Sequence, residues 1–225
     1  MKAVLFIAIT IIVFLLMMKL HKRFTYPFLM PIVTSTIVLV VGLLIFNIPF
    51  EDYMEGGQYI QHLLGPAVVA LAYPLYNQRE LVMKYKYTIV SGILIAMISG
   101  LISVFVLLKL FKLDQDLILT SLPKSLTTPV AMQVSESIGG IPPLTAVLVM
   151  IAGFVGAIFG PLIYKMGKII SPISRGISMG SASHGVGISK LQDYGEEDLS
   201  IGSISMGLSA VIGAVICPIF VFIFF

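Results

Sequence analysis

Charge is scarce in this chain: Asp, Glu, Lys and Arg make up 11% of its 225 residues, against roughly 25% in a soluble domain. Hydrophobic residues make up 58%, and the mean hydropathy is +1.04. A soluble surface cannot be built from that composition, so the chain reads as an integral membrane protein. The net charge of +3 is small and sits between apolar runs, which excludes nucleic acid as a partner. Cysteine is nearly absent. Cys217 stands alone in an apolar run, so no intrachain disulfide forms and its presence says nothing about compartment. Enzyme signatures are missing too: there is no phosphate-binding Walker loop, no paired His/Cys metal spacing and no Gly-x-Ser-x-Gly elbow. Ser183, His184 and Asp193 form a triad only on paper. No catalytic residue, cofactor or metal is expected.

What is present in quantity is apolar sequence of membrane-spanning length, roughly 20 residues. Clear candidates are 2–18, 28–47, 87–110, 143–165 and 201–224, with less regular segments at 60–77, 115–138 and 175–190. The first apolar run is followed by its positive cluster, Lys19, His21, Lys22 and Arg23. A signal peptide carries that charge in front, so this is a retained helix with its N-terminus outside. Loop charge then alternates: Glu51, Asp52 and Glu55 are acidic, and Arg79, Lys84 and Lys86 are basic. The alternation fits the positive-inside rule for four segments. Beyond them it fails, because single crossings throughout would put Lys165, Lys168 and Arg175 outside. Either an irregular segment is re-entrant or charge does not set topology there.

Residues 126–163 line up with residues 182–220: Pro129 matches Gly185, Gly156 matches Gly213, and Pro161 matches Pro218 with one residue inserted. A fainter copy starts at Leu64, with Pro66 in the place of Pro129. Each unit is a Pro/Gly-interrupted segment followed by a smooth helix, a pattern common in secondary transporters. The expected fold is therefore all-α, a polytopic membrane protein of about seven or eight segments. It would carry internal repeats and two or three broken or re-entrant helices near 60–77, 115–138 and 175–190. Residues 1–58 read as a scaffold helix pair and 59–225 as a repeat-built transport core. Small residues recur every fourth position (Gly92, Ala96, Gly100; Ala152, Gly156, Gly160; Ser205, Ser209, Gly213), which fits close helix packing and leaves a homodimer face as the lesser option.

Two polar strings interrupt this background: Ser125 to Ala131 and Ser181 to Gly187. Freed backbone groups cost several kcal/mol in hydrocarbon, so a break in a membrane helix normally lines a cavity or holds a solute. Pro129 has no amide hydrogen and forces a break. A half-helix starting there would aim its amides past Thr127 and Thr128, an arrangement suited to a carboxylate or phosphate. Ser183, His184 and Gly185 occupy the matching place in the second unit, where the imidazole either faces a solute or serves as a structural hydrogen-bonding group. Gln133, Glu136 and Lys124 are coupling or gating candidates. Glu136 reads equally as an interfacial helix end, and Lys124 as a side chain reaching for headgroups. Asp193, Glu196, Glu197 and Asp198 read as a solvated loop capping the last helix.

The stretches beginning Lys124-Ser-Leu-Thr-Thr-Pro-Val-Ala, Ile138-Gly-Gly-Ile-Pro-Pro, Phe159-Gly-Pro and Ala182-Ser-His-Gly-Val-Gly resemble the signatures of the LrgB/CidB family over essentially the whole chain. That resemblance implies a multi-pass protein of the bacterial inner membrane, in contact with lipids, and a small holin-like partner of the LrgA/CidA type. Family members are described as modulators of murein hydrolase activity and autolysis. A plant relative, fused to the small partner domain that this sequence does not include, translocates glycolate and glycerate in plastids. Bacterial members have been linked to pyruvate. Two functions follow as expectations: a secondary transporter of small 2-oxo or 2-hydroxy monocarboxylates, and a holin-like regulator of murein hydrolase export and autolysis.

Overall fold

The computed structural model describes residues 2–24, 29, 31–63, 66, 69, 76 and 79–225. It divides into two compact units, Met1–Ala67 and Val68–Phe225. All described elements are helical. The irregular segment expected at 60–77 and the fainter repeat beginning at Leu64 fall largely outside the described residues.

The first unit contains α1 (Lys2–Arg23), α2 (Pro31–Ile45) and α3 (Phe50–His62). It is thinly packed, with Phe6 the one buried side chain of α1. Phe6 meets Tyr53 edge-on at 5.7 Å, Thr10 and Tyr53 share a hydroxyl hydrogen bond of 2.9 Å, and Gly56 lies against the Ala3 carbonyl and Phe6. An exposed Lys2–Asp52 ion pair of 3.1 Å adds little.

The second unit contains α4 (Arg79–Lys84), α5 (Lys86–Leu110), α6 (Gln115–Ser121), a 3-10 turn (Leu122–Ser125), α7 (Thr128–Ser137), α8 (Pro142–Met166), α9 (Pro172–Leu191) and α10 (Glu196–Phe224). Among the described residues, four helices are long and apolar enough to cross a membrane: α1, α5, α8 and α10. The chain is thus a multi-pass, all-helical membrane protein. Between α5 and α10 the core is a fourfold-spaced stripe, Ile89, Ile93, Met97 and Leu101, set against Leu126, Ile201, Ile204 and Ala210. In lipid such packing is held by close backbone approach rather than by water exclusion. The small-residue stripes supply it, and this chain's own side chains fill them: Ile177 lies on Gly92, Met179 on Gly160, and Leu126 with Met97 on Gly213.

Two segments double back. In the first, the Ile141 amide donates to Thr120 Oγ1 (2.9 Å), Thr145 Oγ1 donates to the Thr120 carbonyl (2.8 Å) and shares a hydroxyl hydrogen bond with Ser135 Oγ (2.7 Å), and Leu119 lies on Gly139. Residues 119–120 and 139–145 are therefore neighbours, and the chain between them is a hairpin with its tip at 122–127. In the second, a Cβ on Gly187 would sit 2.8 Å from Met179 Sδ. Eight residues along a straight helix span about 12 Å, so α9 folds over at His184, where φ is +38° and ψ −140°.

Candidate functional site

The two hairpin tips touch. His184 Nε2 lies 3.3 Å from the carbonyl oxygen of Lys124, and both His184 and Ser183 are buried, at 4% and 3% exposure. Ser183 packs so tightly on Gly156 of α8 that a Cβ there would overlap its hydroxyl, which is why glycine occupies that point. Beside the junction, α5, the 3-10 turn, α8 and α9 enclose a cleft of about 540 Å³. Its polar side chains are Lys124, Tyr164, Ser99, Ser103, Ser125, Ser178, Ser181 and Ser183.

Lys124 is half-buried, and its ammonium reaches Ser125 Oγ at 3.5 Å. Among the described residues no carboxylate pairs with it. Ser181 Oγ is buried and has no hydrogen-bond partner among the described residues. A wall with one unneutralised cation and a row of hydroxyls has the chemistry of a receptor for a small anion.

The polar strings are brought together only in part. Lys124 and Ser183 line the cleft, and His184 braces it from behind. Thr127 is the extended residue before α7; its Oγ1 is buried without a partner among the described residues, and Thr127 lies outside the cleft lining. Thr128 and Pro129 form the first turn of α7, where proline's fixed φ suits a helix start. They are half-buried and do not line the cleft, and neither does Gly185, which is exposed. Gln133 and Glu136 lie further along α7 and are exposed.

One sequence expectation is corrected. Asp198 is not part of a solvated loop: it is 2% exposed and paired with Arg175 through two hydrogen bonds, 2.6 Å from Nε and 3.1 Å from a terminal nitrogen. Arg175 also donates to the Ile170 carbonyl (2.8 Å) and stacks on Tyr194 at 4.7 Å, while Tyr164 donates to the Arg175 carbonyl (3.0 Å). This cluster closes the end of the cleft where Tyr164 and Ser178 stand. Its one sequence signal was the presence of both charges in flanking loops; a pairing 23 residues apart is invisible without the fold.

A model of the LrgB-like family matches residues 10–223. The chain is 48% identical, over 99% of its length and 96% of the relative's, to a Bacillus subtilis protein named "Uncharacterized protein YxaC". It is 34% identical to the "Holin-like protein CidB" of Staphylococcus epidermidis, over 100% of its length and 98% of the relative's. No solved structure matches. With the match running along nearly the whole chain, this protein belongs to the LrgB-like family.

Proposed function

We propose that this chain is a holin-like protein of the bacterial inner membrane that regulates passage across it, and through that passage murein hydrolase action and autolysis. The observation that supports this most is its full-length similarity to proteins named holin-like CidB. In this reading it is not an enzyme, it forms a homodimer, and it works beside a small LrgA/CidA-type membrane partner. Its seven or eight membrane segments include the two hairpins, which enter the membrane without crossing it. Expression in a bacterium lacking family members should change the rate of detergent-induced lysis and the murein hydrolase activity recovered outside the cells. Unchanged lysis and hydrolase release, with the protein verified in the membrane, would refute this reading.

A second reading is favoured by the cleft itself: a carrier for small 2-oxo or 2-hydroxy monocarboxylates of the pyruvate, lactate and glycolate class. One ammonium in a cleft wall that also carries serine side chains is suited to one carboxylate with a neighbouring oxygen. Liposomes containing the purified protein separate the two readings. A carrier accumulates labelled pyruvate, lactate or glycolate under a proton gradient while retaining a trapped dye. A pore-like activity releases the dye.

A further inference from the structure

The two hairpins open at opposite ends of α8. The first has its ends at the start of that helix, through the Thr120–Ile141 and Thr120–Thr145 hydrogen bonds. The second has its ends where α8 finishes and α10 begins: Tyr164 bonds to Arg175, Arg175 pairs with Asp198, and both Gly176 and Leu191 lie on the Ile201–Gly202 stretch. A helix of 25 residues is about 37 Å long and crosses the hydrocarbon core. Each hairpin therefore enters from its own side and neither passes through. Their tips meet at mid-depth, since Ser183 rests on Gly156 near the middle of α8 and Ser125 faces Gly100 near the middle of α5.

The packing is reciprocal. Gly156, in the span that follows the first hairpin, receives Ser183 from the tip of the second. Gly213, in the span that follows the second, receives Leu126 from the tip of the first. These are the positions that the internal repeat aligns, so the two repeats run in opposite directions through the membrane. The loop charges then agree. Gly92 on Ile177 places the start of α5 beside the second hairpin, so Arg79, Lys84, Lys86, Lys165 and Lys168 share one face. By the positive-inside rule that face is cytoplasmic.

We propose that the cleft beside this tip-to-tip junction is a mid-membrane binding site for a small monovalent oxyanion, with Lys124 as its counter-charge and Ser125 and Ser181 as hydrogen-bond donors. Two independent observations carry it: Lys124 in the cleft wall, with no carboxylate partner among the described residues, and Ser181 in the same wall, whose buried hydroxyl has no partner among the described residues. A single cation selects a single negative charge. A buried donor left unsatisfied favours a ligand that accepts from it. Inverted repeats with binding at their shared midplane suit alternating access from the two sides. The proposal deepens the carrier reading above and rests on it only for what happens after binding.

The test uses the full chain purified in detergent. Millimolar lactate or acetate should raise the unfolding temperature, as ligand binding to the folded form requires; glycerol should not, and succinate should do so more weakly. Lys124→Gln should abolish the lactate shift and Lys124→Arg should retain part of it. In a Cys217→Ser background, lactate should slow thiol labelling of Ser125→Cys several-fold. In intact cells or sealed vesicles, and in the same Cys217→Ser background, Lys168→Cys and Asp193→Cys should label from one side of the membrane, and Lys112→Cys from the other. No shift with any carboxylate, or an equal shift in Lys124→Gln, overturns the site. Labelling of the position-168 and position-193 cysteines from opposite sides overturns the hairpin geometry. Binding and protection without uptake in liposomes leaves the site standing and defeats the carrier reading.

Discussion

The two hairpins solve the same problem, turning a chain round inside the protein, with different chemistry. The first turns through Pro123, an extended Leu126–Thr127 pair and a helix started by Pro129, and hydroxyls tie its two ends together. The second turns at one residue, His184, held at positive φ, and an ion pair anchors it to the next span. Proline can turn a chain without leaving an amide to satisfy. A histidine with φ of +38° is strained by roughly 1–3 kcal/mol, so the second turn depends on its surroundings: Ser183 wedged on Gly156 and Nε2 at the Lys124 carbonyl. The first hairpin carries its own turn. The second is held by its neighbours.

That contrast can be broken from its strongest point downward. Asp198→Ala leaves the Arg175 guanidinium, whose side chain is 13% exposed, without its carboxylate. Loss of one partner of a buried pair costs about 3–5 kcal/mol, so the variant should unfold at a markedly lower temperature in detergent and admit protease between α9 and α10. A variant as heat-stable as the native chain would show that the ion pair is not the anchor. Thr145→Val removes the donor to the Thr120 carbonyl and the hydroxyl partner of Ser135 Oγ in the first hairpin. The expected loss is about 1–3 kcal/mol, read from the same melting curves, and an effect larger than that of Asp198→Ala would reverse the ranking of the two anchors. The smallest effect should come from His184→Gly. Glycine takes positive φ without strain, which offsets the lost hydrogen bond to within about 1 kcal/mol. His184→Ala keeps the strain and loses the bond, so it should melt below His184→Gly. The opposite order would mean that the ring, not the backbone, governs the turn.

These residues also mark how far sequence reading reaches. The long apolar runs that became α5, α8 and α10 are local properties, readable from length and hydropathy alone. So is the start of α7 at Thr128, because proline at the second position suits only a helix's first turn. In sequence Asp198 looks like its exposed neighbours Asp193, Glu196 and Glu197, and only Arg175, remote in sequence, distinguishes it. Thr145 drew no notice: one threonine in a membrane helix looks like filler until Thr120 and Ser135 are placed beside it. Thr127 and Pro129 were singled out as parts of one site with Ser183 and His184. Backbone geometry put the 3-10 turn, one step earlier in the chain, at the cleft instead.

Composition and span length by themselves made this an all-helical membrane protein, and its long motifs carried the resemblance to the LrgB-like family, because solvent preference, span length and motifs are written residue by residue. Which polar residues meet was decided only in three dimensions. Lys124 and His184 are 60 positions apart, and their contact exists because Gly156 and Gly213 each let the other unit's tip approach to backbone distance. Close approach of that kind depends on volume missing from one helix and filled by another, and a sequence records the missing volume without naming what fills it.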